Sequence, residues 1–257
     1  MKSCTVKRNS AKVITTCFQG RVIREENGLC GNPIGYYNHC QNFPTSESVI
    51  ELLDLIVARE LVVDPGAYCD TIIINNDIGY EPGNTMLRSI NGLKTPGGEI
   101  KVFTRGNYGR SFGGYNFAFR NFMSVYDYWI FTEDDILVDG NKYVDKLINK
   151  FHSKVNIGFV ALQNVSNQGL DGTINDKWLH AHGGVGLSSR QVLFNLYYKL
   201  GRLPHCSSDE SQDYENIIVN GEIMFTHRIV SDLGLELAVA DEKLYTYAYD
   251  YIKQNKQ

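Results

Sequence analysis

The sequence predicts an α/β fold: a doubly wound, mostly parallel sheet flanked by helices, with a more mixed C-terminal half. Three observations predict it. Strand-like and helix-like segments alternate through the first half, as parallel βαβ units require. The strand-like run Tyr128–Phe131 and the Thr71–Ile74 centre of Asp70–Asn75 are apolar, aromatic or β-branched throughout, as in strands buried on both faces. Three of these runs also exit into polar residues, at the end of the strand where open α/β sheets place ligands.

The elements follow in order. Lys12–Phe18 is β-branched and reads as the first strand. Residues 19–43 hold four glycines and several asparagines, and read as a long loop. Thr45–Leu61 is a helix, because Val49, Leu52, Leu53, Ile56 and Val57 recur at helical spacing; Thr45 or Ser48 caps it. Asp70–Asn75 is the second strand and Ile100–Thr104 the third. Gly113-Gly114 opens a helix that runs through Met123 and leads to the strand at Tyr128. Tyr143–Phe151 is a helix, Ile157–Gln163 a strand, and Ser188–Leu200 a helix stopped by Gly201. Asp213–Asn220 is expected as a short helix stopped by Gly221, and Glu222–His227 as a strand. The aromatic tail from Leu237 to Tyr251 has no clear period. No composition break divides the 257 residues, so a single domain is expected, with residues 12–140 and 141–257 as its two functional halves.

Composition excludes some classes. A net charge of −4 leaves no basic excess for general nucleic-acid binding. No apolar run approaches the roughly 20 residues of a membrane span, and Met1–Lys12 lacks the apolar core of a secretory signal. The six cysteines show no C-x-x-C pair; Cys30 and Cys40 are close enough in sequence to bridge a loop, but free thiols and a cytoplasmic setting are expected.

Chemistry concentrates at three strand exits: Phe18-Gln19-Gly20-Arg21, Asn75-Asn76-Asp77 and Glu133-Asp134-Asp135. Carboxylates crowded at a buried strand exit repel one another unless a cation or proton compensates them. In an extended chain Glu133 and Asp135 share a face and Asp134 takes the other. Two hard oxygen ligands on one face suit Mg²⁺ or Mn²⁺ holding a diphosphate. The plain alternative is an acidic turn capping the helix that begins near Asn141. The second concentration is Arg105-Gly-Asn107-Tyr-Gly-Arg110-Ser-Phe-Gly-Gly114-Tyr-Asn, where glycines and a helix start offer backbone amides to an anion. Its ending differs from a Walker loop, and a flexible surface turn is the alternative.

A strand ending Asn-Asn-Asp, then Asn-x-Gly-x-x-x-Gly-Gly-Tyr-Asn, then Phe-Thr-Glu-Asp-Asp-Ile-Leu, resembles the GT-A glycosyltransferases, and most of all the large inverting family of bacterial polysaccharide and rhamnosyl-type transferases. The likeness runs from about Lys12 to Gly221. It implies a Rossmann-like GT-A fold and metal-dependent, inverting transfer of a sugar from a UDP-, GDP- or dTDP-sugar donor to a glycan or glycoconjugate acceptor. The family's Asp-x-Asp is here Glu133-Asp134-Asp135, so Asp135 and Glu133 are the expected metal ligands, with His227 completing the shell. The resemblance puts Asn76 or Asp77 at the nucleoside and Gly183-Gly184 at the donor sugar, and the residues themselves nominate Phe18, Arg21, Asn107, Arg110, Gly114 and Asp134 for the same pocket. The general base of the family matches Asp213, with Gln212 where the family has Glu. His180 and His182, two apart, share a face if extended and form a second metal candidate, a hydrogen-bonded polar loop being the alternative. Two rival functions share such a fold. A sugar nucleotidyltransferase normally carries Gly-Thr-Arg in its first loop, which Phe18-Gln-Gly-Arg-Val lacks. A binder with a lapsed active site would fit the Glu133 and Gln212 departures.

Overall fold

The computed structural model of the protein describes residues 9–18, 45–138, 140–169, 174–175, 178–206, 218–248 and 250. Its centre is a seven-stranded sheet of β1 (Ser10–Thr16), β2 (Cys69–Asp77), β3 (Ile100–Gly106), β4 (Tyr128–Glu133), β6 (Ile157–Ala161), β9 (Gly186–Ser189) and β10 (Glu236–Val239). The order across the sheet is β10-β6-β9-β4-β1-β2-β3. β9 alone runs antiparallel to its neighbours; the others point one way. Four short strands lie outside it: β5 (Ile136–Val138) pairs with β11 (Tyr245–Tyr247), and β7 (Val165–Ser166) with β8 (His180–Ala181).

Helices α1 (Ser46–Glu60), α2 (Glu81–Ile90), α3 (Arg110–Phe122), α4 (Tyr143–Phe151), α5 (Arg190–Leu200) and α6 (Met224–Leu233) flank the sheet. The side-chain alternation of a strand divides the core. Ile73 joins Val49, Leu52, Leu53 and Ile56 of α1 and Leu87 of α2 in one cluster, while Ile72 and Ile74 belong to a second, larger one. At β4 both Ile130 and Phe131 lie in that larger cluster, so the strand is covered on both faces, as its unbroken apolar run predicts.

Several boundaries differ from the sequence reading. Thr45, rather than Ser48, caps α1, its hydroxyl accepting from the Ser48 amide at 3.2 Å. α2 has no counterpart in that reading, although Pro82 in its first turn and Glu81 ahead of it are good start signals. α3 begins at Arg110, four residues before Gly114, and the Gly113 amide already donates to the Gly109 carbonyl at 2.7 Å. Gly221 stops nothing: a π-helical turn, Ile218–Ile223, runs through it into α6. The strand expected at Glu222–His227 is therefore helical. Phe225, Thr226 and Ile229 are buried at i, i+1 and i+4, and that spacing, not β-branching, decides the conformation.

Candidate functional site

The chain leaves β1 for β2 and β3 on one side, then returns to place β4 on the other side of β1. This reversal opens a crevice outside the carboxyl ends of β1 and β4, the usual ligand position in such sheets. Asp134 sits in it. The ladder continues one residue past β4, the Asp134 amide donating to the Thr15 carbonyl at 3.1 Å. Its carboxylate, 6% exposed, accepts from Thr16 Oγ1 at 2.7 Å and from the Cys17 amide at 3.4 Å. Asp134 thus ties the two strand ends together from the inside.

That tie bends the chain. Asp134 and Asp135 form a turn rather than extended strand, so simple alternation applies only as far as Glu133. Asp135 is 8% exposed, and its carbonyl accepts from the Ala248 amide at 2.8 Å. Two tyrosines register the negative charge here. Burial first, then Glu133, Asp135 and Asp134, push the Tyr115 phenol of α3 well above its usual range. Burial, then Asp135, push Tyr247 of β11 up to about 12. The acids therefore lie between α3 and β11.

The start of α3 closes the other side. Gly114 lets the helix approach the sheet, because a Cβ there would lie 2.6 Å from Thr15 Cγ2. Its place is in the helix–sheet contact, within the second turn, not at a free helix end. Asn107 reaches Cys17, Nδ2 to Sγ 3.4 Å. Gly109 and Arg110 both have positive φ, 68° and 45°, and Arg110 is exposed. Arg105 is buried against Asn76 and Tyr108.

Since β9 runs against its neighbours, its first residues lie at the same edge as the other strands' last ones. Gly183 and Gly184, just ahead of it, have φ of 65° and 60°. A Cβ on Gly184 would lie 2.5 Å from the Phe112 ring of α3. The Gly183 amide donates to Glu222 Oε1 at 2.7 Å, and His182 Nδ1 lies 3.7 Å from the same oxygen. Glu222 has no place in the sequence reading; its signal is an acid one turn before a buried helical stripe, hidden once the segment is read as a strand.

Other expected residues lie elsewhere. Phe18, nominated as a ring for a base, is 1% exposed in the α1–α2 cluster, packed where a Cβ on Gly83 would come within 2.4 Å of it. The closing strand β1 ends at Thr16, and the side chain turns into the core that α2 supplies. His227, nominated beside Asp135, lies on α6 with Nδ1 3.2 Å from the Leu179 carbonyl. His180 is buried, with Nδ1 2.5 Å from the Trp178 carbonyl, and burial first holds its pKa below the usual range. His180 and His182 thus have separate partners, because the chain turns at His182. At the β2 exit, Asp77 Oδ1 accepts from the Gly79 amide at 2.8 Å and Asn84 Nδ2 at 3.2 Å. Beside it opens a cleft of about 380 Å³ lined by Asp77, Asn84, Arg88 and Thr104 among others. Arg21 and Asp213 lie outside the described residues.

Among the described residues no three His, Cys, Asp or Glu side chains converge to hold a metal ion. The donor set at the acidic turn, carboxylates on one strand exit, fits an ion that keeps waters and shares its shell with a diphosphate, as Mg²⁺ does, rather than an all-protein cage. No described helix is long and apolar enough to cross a membrane.

No family model matches the chain, and no curated protein matches it. Among solved structures, a cytidylyltransferase from Leptospira borgpetersenii is 13% identical at a TM-score of 0.48, with 96% of this chain and 85% of that one covered. S. aureus TarS is 11% identical at a TM-score of 0.45, with 92% of this chain and 36% of that one covered. A CMP:2-keto-3-deoxy-manno-octonic acid synthetase complexed with CTP is 12% identical at 0.46, with 90% and 88% covered. At these values the likenesses assign nothing to this chain.

Proposed function

We propose that the protein is a GT-A-type glycosyltransferase that moves a sugar from a nucleotide-diphosphate donor to a hydroxyl acceptor with a divalent cation. One observation carries the reading: at the β1/β4 reversal a buried carboxylate locks the two strand ends, and the charge of its neighbours Glu133 and Asp135 bears on Tyr115 of α3 and Tyr247 of β11. Asp135 and Glu133 hold Mn²⁺ or Mg²⁺, which when bound offsets charge building on the leaving diphosphate. Asp77 and Asn76 receive the nucleoside. The glycines at 183 and 184, with no Cβ, leave the sugar room beside the diphosphate. Orientation of donor and acceptor is then the main contribution of the scaffold. Asp213, by its sequence match, takes the acceptor's proton and makes the transfer inverting.

The test is a thermal-shift screen of UDP-, GDP- and dTDP-sugars, each with manganese or with EDTA, followed by transfer assays with the best donor. A ligand that binds the native state alone raises its melting temperature. The expected result is a manganese-dependent shift with one nucleotide class, lost in Asp135→Ala, and donor binding without transfer in Asp213→Asn. A shift that ignores both EDTA and Asp135→Ala removes the metal from the reading. Pyrophosphate release from a nucleoside triphosphate and a sugar phosphate, with no transfer from any nucleotide-sugar, replaces it with nucleotidyl transfer.

A further inference from the structure

The sheet is covered by helices of opposite charge on its two faces. α1 and α2, which pack with Ile73, hold five acids and two cations. α3, α5 and α6, which pack with Ile72 and Ile74 in the larger cluster, hold five cations and one acid, Asp232. Arg202, just past α5, adds a sixth cation. The chain as a whole carries a net charge of −4, so this is one basic side on an acidic molecule.

α5 lies in the middle of the basic layer. On one flank its Tyr197 ring meets Phe119 of α3, centroids 6.0 Å apart, and Asn116 Oδ1 accepts from the Leu203 amide at 2.9 Å. On the other flank Lys199 Nζ donates to the Asp232 carbonyl of α6 at 2.8 Å. Val192, Leu193 and Leu196 face the core. Gln191, Phe194, Tyr198 and Arg202, at spacings of three and four, therefore form the outward line, and all four are exposed. Tyr198 is 84% exposed and Phe194 43%. Their rings stack on each other, centroids 6.4 Å apart at 21°, and make one apolar ridge. Arg190 beside it pairs with Asp127 at 3.1 Å, and Lys199 and Arg228 share Asp232. Arg120 of α3 and Arg202 pair with no acid among the described residues.

Adjacent rings left in water and flanked by cations mark a contact surface. Its shape and charge select the occupant. The ridge is a convex helix face with no acid of its own, aromatic at its crest and basic on both sides. Rings of this kind settle at the headgroup level of a bilayer, where Lys and Arg meet anionic lipid. A nucleic-acid strand needs ring faces for its bases, and here the two rings turn theirs to each other. We infer that the α5 ridge docks the protein on an anionic phospholipid surface. α5 starts beside Asp127, at the entry end of β4, where the Arg190 amide donates to the Asp127 carbonyl at 2.7 Å. It runs from there to the ligand edge, where a Cβ on Gly109 would lie 2.7 Å from His205 Cδ2. Docking thus leaves the acidic crevice at one end of the contact, beside the headgroups. The inference rests on the charges and the rings, and is independent of the transferase reading.

The experiment is flotation of the whole chain with phosphatidylcholine vesicles, with and without phosphatidylglycerol, at low and high salt. The expected result is binding that requires phosphatidylglycerol and falls with salt. Phe194→Ser combined with Tyr198→Ser weakens it about ten-fold or more, and Arg202→Gln or Arg120→Gln about five-fold each. Melting temperatures stay at the wild-type value, since all four side chains are exposed. Lys94→Gln, the same loss of charge at a lysine paired with Glu99, leaves binding unchanged. No flotation, flotation indifferent to phosphatidylglycerol, or flotation undiminished in the double serine variant overturns the proposal. Self-association abolished by the serine pair, without flotation, also overturns it and gives the ridge to a second copy of the chain. Preference for a single-stranded oligonucleotide over vesicles overturns it in favour of nucleic acid. Vesicle binding with no response to any nucleotide-sugar keeps the ridge and sinks the transferase; a manganese-dependent nucleotide-sugar shift without vesicle binding does the reverse.

Discussion

Asp70 shows what a buried acid does when it has no catalytic work. At the entry end of β2 its carboxylate accepts from Lys101 Nζ at 2.7 Å, Tyr126 Oη at 2.7 Å, the Glu99 amide at 3.0 Å and Tyr68 Oη at 2.9 Å. Burial pushes its pKa up, but these donors outweigh burial and hold it below the ordinary 3.8. The unfolded chain therefore binds the proton more readily than the folded one. The stabilisation is complete above that ordinary value and is lost as pH falls through the lower, folded one. Asp70→Asn is expected to cost about 2 kcal/mol at pH 7, with the gap narrowing only in acid below 3.8. Urea midpoints across that range check it; a gap independent of pH would assign the cost to packing. The acids at the β4 exit differ in placement: they stand at the carboxyl edge of the sheet, and their charge bears on Tyr115 and Tyr247.

At the scale of elements, the contact between α3 and the sheet turns on Gly114. Alanine there gains about 1 kcal/mol of helix propensity. It also drives a methyl into Thr15 and Ile74, and overpacking of this kind costs about 1–3 kcal/mol. The clash falls on core strands that cannot yield, so it wins: Gly114→Ala is expected to lower the denaturation midpoint, and a higher midpoint would refute the close approach. This is also the scale at which the sequence was least even. α4 matches its expected limits, Tyr143–Phe151, because five buried residues at helical spacing leave no competing period. β2 and β4 were legible from unbroken apolar runs. β9 was not: Gly-Leu-Ser-Ser is a strand because β4 and β6 supply partners on both sides, and local pattern carries no trace of that. α6 was misread because its β-branched residues outvoted its period. The acid turn was legible as chemistry, whereas Glu222 needed its tertiary neighbours Gly183 and His182 before its position meant anything.

For the whole molecule, the insertion of β9 makes the two halves of the chain interdependent. Residues 1–138 on their own would leave the apolar strand β4 with one unpaired edge in place of the ladder to β9. That fragment is expected to aggregate, and co-expression with residues 139–257 to restore solubility; a soluble, cooperatively unfolding fragment would contradict this. A further consequence follows from β11. It pairs with β5, and the Ala248 amide is bonded to the carbonyl of Asp135. The segment from β11 to Ala248 is thereby stitched to the very bend that presents the acids. Substitutions that loosen β11 would therefore shift that bend as well, so an inert reporter belongs on a surface loop remote from it.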